Sequence, residues 1–207
     1  MLEMTYGMCD GELVSAKDVP RGLACGCICP ACGSELIAKQ GSCRAPHFAH
    51  YRKKDCGGWL ETILHQRAKV ILSERKQLMV PPVYKIPGVC LFPWSLITFD
   101  KVEIEVTLGN GRADAVGIVN GRPLAIEFAV AHKVSNNRIF EYRDLEHPAI
   151  EIDLSHTNEN FDAGIASILE KTDPNKRWIY NPHVNYNKLS RYAWKPQSFR
   201  RRYYTYE

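Results

Sequence analysis

No apolar run in this 207-residue chain approaches the roughly 20 residues that a bilayer-spanning helix needs. The acidic N-terminus lacks a signal-peptide pattern. These two absences exclude a helical membrane anchor and point to a cytoplasmic protein with no membrane partner. Internal repeats and low-complexity segments are also missing, which sets aside repeat architectures and disordered tracts. Strong charge of one sign is absent, the net value being +4. Hydrophobic residues make up 45% and charged residues 24%, as in an ordinary globular chain. The length suits one substantial core, or a small module followed by a core.

What the chain has in excess is cysteine, eight in all, and their placement decides their meaning. Cys25, Cys27, Cys29, Cys32, Cys43 and Cys56 crowd into one third of the sequence, interleaved with His47 and His50. In a cytoplasmic chain such clustering favours zinc over disulfides. Cys29-Pro-Ala-Cys32-Gly33 can supply two ligands to one tetrahedral zinc, and the glycine permits the tight turn. His50 and Cys56 follow as the second pair. The expected zinc set is therefore Cys29, Cys32, His50 and Cys56. His47 competes with His50 or Cys56, Cys27 competes with Cys29, and Cys25 and Cys43 are weaker alternatives. Cys9 and Cys90 read as ordinary buried thiols. Four protein ligands make a structural site, since a catalytic zinc keeps a position open for water. Such a site folds a piece too small to fold by apolar burial alone.

The chain is organised around Arg112 to Lys133. Ala113 to Val119 is an apolar run carrying one acid, Asp114; Leu124 to Ala131 is a second, carrying Glu127. Asn120-Gly121 between them is a two-residue hairpin signal, because both positions tolerate positive φ. An acid in so apolar a strand is costly unless it is hydrogen-bonded or binds a cation. Two of them on paired strands can converge on one metal. Side-chain alternation puts Ile126, Phe128 and Val130 on one face, and Ala125, Glu127, Ala129 and Ala131 on the other. The same pattern also suits a hairpin whose acids are salt-bridged to Arg112 or Arg122.

The flanking elements follow in order. Trp59 to Lys76 reads as a helix of about five turns, with Glu61, His65 and Lys69 along one stripe. That stripe either faces solvent or turns its groups into a cleft. Gln77 to Pro93 reads as a proline-rich irregular connection with one short strand. Lys101 to Leu108 alternates as a half-buried strand should, and Asn110-Gly111 turns it. Ser135 to Leu145 is a short helix that Ser135 can cap, with Arg138 and Tyr142 one turn apart. Ala149 to Leu154 is a strand and Phe161 to Leu169 a closing helix. Helices then lie on both sides of a mixed sheet.

From Asp173 to Glu207 there are eight Lys/Arg and two acids, hence +6, together with nine of the 21 aromatic residues. Trp194, Lys195, Arg200, Arg201 and Arg202 are the candidate nucleic-acid contacts, cations for phosphate and rings for unpaired bases. The same segment also suits packing on its own domain, or joining a second copy or a protein partner.

CPACGSELIAKQG, HFAH, Cys56 and ETILHQRAK, then RADAVG, LAIEFAVAHKV and PAIEIDLS, together resemble the CoiA-like competence proteins over about residues 22–155. The resemblance implies a restriction-endonuclease-like α/β core of the PD-(D/E)XK type: a mixed sheet flanked by helices over 57–172. A zinc-finger-like module over 1–56 precedes it, and the basic aromatic extension of 173–207 follows. Glu61, Asp114 and Glu127 fall on the superfamily's carboxylates, and its lysine position falls on Ala129. Relatives vary at that position too. By this resemblance Asp114 and Glu127, with the Phe128 carbonyl, would hold Mg²⁺ or Mn²⁺ for phosphodiester hydrolysis. Lys69 and His65 are the better substitutes for the missing lysine. Lys133 lies about 13 Å past Ala129 on an extended strand and reaches the site only if the chain bends. The implied function is a metal-dependent nuclease acting on DNA. Two alternatives stand beside it: a DNA-binding accessory or inhibitor that keeps the fold without cleaving, and a zinc-stabilised protein-interaction module.

Overall fold

The computed structural model describes residues 3–52, 56–86, 88–157 and 160–184. Strands β1 (Tyr6–Cys9) and β2 (Glu12–Ser15) form a hairpin around Asp10-Gly11. Both turn residues take positive φ, 50° and 84°, as a two-residue hairpin turn requires. A single 3-10 turn at Leu23–Cys25 precedes a second hairpin, β3 (Leu36–Lys39) with β4 (His47–His50). Helix α1 (Trp59–Arg75) follows and buries Ile63, Leu64, Ala68, Ile71 and Leu72.

After α1 the sequence expectation fails. Gln77 to Pro93 holds three short strands rather than one, β5 (Gln77–Val80), β6 (Val83–Ile86) and β7 (Val89–Phe92), and a fourth, β8 (Ser95–Thr98), follows. They nest as one arm, β5 on β8 and β6 on β7. The prolines at 81, 82 and 93 fall between these strands and not inside one, so they punctuate the arm without removing ladder donors.

The central sheet is built from β9 (Lys101–Leu108), β10 (Gly111–Val119) and β11 (Arg122–Ala129), then β12 (Ala149–Asp153) and β13 (Lys176–Tyr180). Its order is β13-β12-β11-β10-β9. Only β11 and β12 are parallel, and α2 (Asn136–Asp144) crosses between them. Ser135 caps α2, its Oγ accepting from the Arg138 N–H at 3.3 Å. The last helix, α3 (Phe161–Glu170), is capped by Asn160. This is the expected α/β class, a mixed sheet flanked by helices with a small cysteine-rich module at the front.

Strand β13 lies inside the stretch that the charge pattern marked as a C-terminal extension. It is an edge strand of the sheet, and its Lys176 is buried. The Lys176 ammonium donates to the carbonyls of Met79, Leu169 and Lys171, tying the arm and the end of α3 together. Trp194, Lys195, Arg200, Arg201 and Arg202 lie outside the described residues.

Helices α1 and α3 cover one face of the sheet, over Ile126, Phe128, Ile150, Ile152 and Leu154. The same apolar cluster continues into the N-terminal module through Met4, Leu36 and Phe48, so module and sheet share one interior. Arg67 on α1 grips Asp162 of α3 with two bonds of 2.8 and 2.7 Å, and Tyr6 of β1 donates to the same carboxylate. On the opposite face α2 packs Ile139 and Tyr142 against Ala113, Val116, Ala125, Ala149 and Ile179.

Gly117 of β10 lies directly under the Phe99 ring, where a Cβ would overlap three ring carbons. Gly117→Ala is expected to lower stability by about 1–3 kcal/mol, the usual cost of overpacking a rigid core position. Urea unfolding of the two proteins checks it, and an unchanged midpoint would show that the ring moves freely aside.

Candidate metal centres and the cleft at Asp114

The N-terminal module brings four ligand atoms together. Cys29, Cys32, His50 and Cys56 place theirs all within 4.8 Å of one another. Tetrahedral zinc with Zn–S bonds of ~2.3 Å separates two sulfurs by about 3.8 Å. Cys29 Sγ and Cys56 Sγ stand 3.7 Å apart, and Cys32 Sγ lies 3.4 Å from His50 Nε2. The donor set and its spacing therefore fit zinc.

The competing ligands have other partners. His47 and His50 sit three apart on β4, so alternation turns them to opposite faces. His47 faces the Ala45 carbonyl and Glu3 instead. Cys27 is joined to Cys9 in a disulfide, which corrects two expectations at once: Cys27 is no zinc alternative, and Cys9 is no ordinary thiol. Cys25 is buried with its thiol on the Leu36 carbonyl. Cys43 and Cys90 are exposed, so Cys90 is not the buried thiol expected of it.

The second site lies where β10 and β11 part. Their ladder runs from Val119↔Arg122 to Ala115↔Ile126 and stops. Continued register would pair the Phe128 N–H with β10 at Ala113. Instead that N–H donates to Asp114 Oδ2 at 2.9 Å. The Ala129 carbonyl accepts from Leu154, just past β12. Since successive peptide groups of a strand alternate, the Phe128 carbonyl points the other way, toward the gap on the β10 side.

A second irregularity coincides with the opening. On β10, Ala113 packs with the α2 face but Ala115 with the opposite face. On β9, Val106 and Leu108 pack with α2 but Val102 with α1 and α3. Regular alternation would keep each of these sets on one face. Both strands therefore switch faces at the Glu105–Asp114 level, with the register unchanged on either side. Glu105 carries the strain at φ 55°, a conformation that costs a non-glycine residue about 1–2 kcal/mol.

Helix α1 delivers two of its stripe residues to this point. His65 Nδ1 is 3.4 Å from Asp114 Oδ2, and its ring meets Phe128 edge-on. Lys69 Nζ is 3.8 Å from Asp114 Oδ1 and bonds Glu105, which also holds Arg112. Burial pushes the Asp114 carboxyl upward. The His65 hydrogen bond, the Phe128 N–H and the nearby cations more than offset it, and the acid ends below its ordinary value. Glu61, one turn earlier, is half-buried and makes no hydrogen bond or ion pair with either strand acid.

Glu127 is buried and bound from the other side. Its Oε1 accepts from Arg138 Nε at 3.1 Å and from the Tyr142 hydroxyl, both on α2. Burial and the Asp114 charge raise its pKa against those two donors. Its Oε2 accepts no hydrogen bond from a described residue, and neither does Asp114 Oδ1. Glu127 Oε2 thus stands without a donor among the described residues, while Asp114 Oδ1 has only the Lys69 ammonium at 3.8 Å beside it.

Lys133 does bend back, but to β12: its Nζ is 3.3 Å from Asp153 and 3.9 Å from Glu151. Glu151, 1% exposed, is also gripped by Arg177 through two bonds of 2.7 Å. Sequence reasoning missed this cluster and the target of the Arg138–Tyr142 pair. The AIEIDL alternation does put Glu151 and Asp153 on one face, a usable signal. The i, i+4 spacing paired Arg138 with Tyr142 but could not name their target.

Residues 24–57 match the family model described as the N-terminal domain of competence protein CoiA, a span that holds all four zinc-set residues. No curated protein and no solved structure matches the chain significantly.

Freshly purified protein is expected to carry about one zinc per chain, and Cys29→Ser or Cys32→Ser to lose it and lower the melting temperature. Elemental analysis finding no zinc in the wild type would sink the assignment.

Proposed function

We propose that this chain, CoiA-like over its N-terminal module, is a cytoplasmic, competence-related, metal-dependent nuclease acting on DNA. The observation that carries the reading is the opened β10–β11 ladder, with Asp114 Oδ1 and Glu127 Oε2 left without hydrogen-bond donors beside it. Neither oxygen is a buried atom left unsatisfied, so both are open to water or to a cation in the cleft. Asp114, Glu127 and the Phe128 carbonyl would supply oxygen ligands of the kind Mg²⁺ or Mn²⁺ prefers. A bound divalent ion would neutralise charge at a scissile phosphate and activate water.

The remaining roles belong to α1. Ala129 offers no ammonium at the superfamily's lysine position. The Lys69 ammonium and the His65 imidazole already lie beside Asp114 and are the groups at hand. Glu61, one turn away and without a partner among the described residues, is available to position the metal or its water.

One observation favours the non-cleaving accessory reading. Each strand-site cation is already paired: Lys69 with Glu105 and Asp114, Lys133 with Asp153, and Arg138 with Glu127 and Glu141. Cleavage requires Lys69 or His65 to leave Asp114 when phosphate arrives.

With Mg²⁺ or Mn²⁺ and DNA, the wild type is expected to cleave and chelation to stop it. Asp114→Asn and Glu127→Gln should each reduce cleavage by ~100-fold or more with the melting curve retained. Lys69→Ala and His65→Ala identify the substitute for the lysine. A wild type that binds DNA but cleaves nothing with either metal would decide for the accessory reading.

Nucleic-acid binding is assigned to the segment after the sheet. Because β13 belongs to the fold, the informative truncation removes 185–207, with six Lys/Arg and one acid. It should weaken DNA binding and flatten its dependence on salt, since fewer counterions are released. Fluorescence titrations at several salt concentrations check this; an unchanged slope would remove the segment from the interface.

A further inference from the structure

Both donors to Glu127 come from one turn of α2 and converge on the same oxygen. Arg138 gives Nε to Glu127, Nη1 to Glu141 at 2.6 Å and to the Leu108 carbonyl at 2.9 Å, and Nη2 to the Tyr142 hydroxyl at 2.9 Å. That hydroxyl, accepting from Arg138, passes its own proton toward Glu127 Oε1. Tyr142 is fully buried, with no exposed area. Four of the five N–H groups of the guanidinium are engaged inside the protein. An arginine so engaged is not a free phosphate ligand; its fixed fork sets geometry.

The helix that carries this pair is itself pinned. The Asn110 N–H donates to Glu141, and Arg138 holds the Leu108 carbonyl, so the β9–β10 turn is seated on α2. Glycines at 109 and 111 allow the approach. A Cβ at residue 111 would fall 2.7 Å from Arg138 Nη1, and one at residue 109 would overlap the Glu141 carboxylate. Strand β11, helix α2 and the β9–β10 turn thus meet at the Arg138 guanidinium.

We infer that Arg138 and Tyr142 are positioning residues that hold Glu127 by Oε1 and so keep Oε2 free to bind a divalent cation. The inference rests on the metal-dependent reading above and deepens it. A carboxylate held through one oxygen cannot rotate to offer the wrong lone pair, and its outer partners raise metal affinity by fixing that orientation. Glu141 serves the same end, since it holds the guanidinium in place and balances its charge.

The test is Mn²⁺ binding to the full-length, zinc-loaded chain by calorimetry, with melting temperature measured beside it. Tyr142→Phe retains the ring and removes the hydroxyl; Arg138→Lys retains the charge and removes the fork. Each is expected to weaken Mn²⁺ binding by ~10–100-fold. Lowered melting temperatures with wild-type Mn²⁺ affinity would overturn the inference and leave the pair a purely structural role. If Tyr142→Phe melts too low to titrate, Arg138→Lys decides. Asp114→Asn separates the two levels. Wild-type binding that this variant abolishes supports the underlying metal site whatever the α2 variants do. A wild type that binds no Mn²⁺ overturns both.

Discussion

The Phe128 N–H has no strand partner, and the Asp114 carboxylate takes the place of one. Much of the site follows from that substitution. A buried amide left unsatisfied costs roughly 1–3 kcal/mol, so β10 and β11 can part only where a side chain replaces the ladder. A carboxylate does so and still presents a second oxygen. Parting the strands gives α1 a place to insert His65 and Lys69. It also turns the freed Phe128 carbonyl toward the gap. The strained Glu105 backbone lies across β10 at the same level, and Lys69 bridges Glu105 and Asp114.

The cysteine-rich module serves the sheet as well as itself. Its apolar residues are continuous with the interior under α1 and α3. The Tyr6–Asp162–Arg67 contact ties β1 to both helices, with the Arg67 guanidinium also over the Tyr6 ring. Cys56 closes the zinc-fitting set three residues before α1 begins. Metal binding in the module therefore bears on the start of the helix that carries Glu61, His65 and Lys69.

Much of this was legible in the sequence, and the reasons differ by element. Asn120-Gly121 was readable because few residue pairs accept two positive φ values, here 50° and 75°. Ser135 was readable as a cap, and α1 through its stripe. Asp114 and Glu127 stood out because acids in apolar strands need a reason. The arm of β5 to β8 was hidden because prolines between strands look, in one dimension, like prolines that forbid them. Strand β13 was hidden by its charges: Lys176 and Arg177 read as tail, yet one caps carbonyls in the interior and the other pairs with buried Glu151. The Cys9–Cys27 bond could not be read, since cysteine spacing does not reveal pairing. The grip of α2 on Glu127 depends on the parallel β11–β12 crossover, which no local pattern encodes.

The face switch shared by β9 and β10 also limits how the sequence can drift. Each strand is divided at Glu105 and Asp114 into two halves whose alternating positions are shifted by one face, so Ala113 and Ala115 fall on opposite sides of the sheet. A deletion or insertion of one residue within either half would rotate every side chain between it and the step to the wrong face. Only a matched change in both strands would preserve the pattern. Length variation in this region is thereby confined to the turns, while the distance from each turn to the acid stays fixed. The hairpin acts as a ruler, and Asp114 is the mark from which both halves are measured.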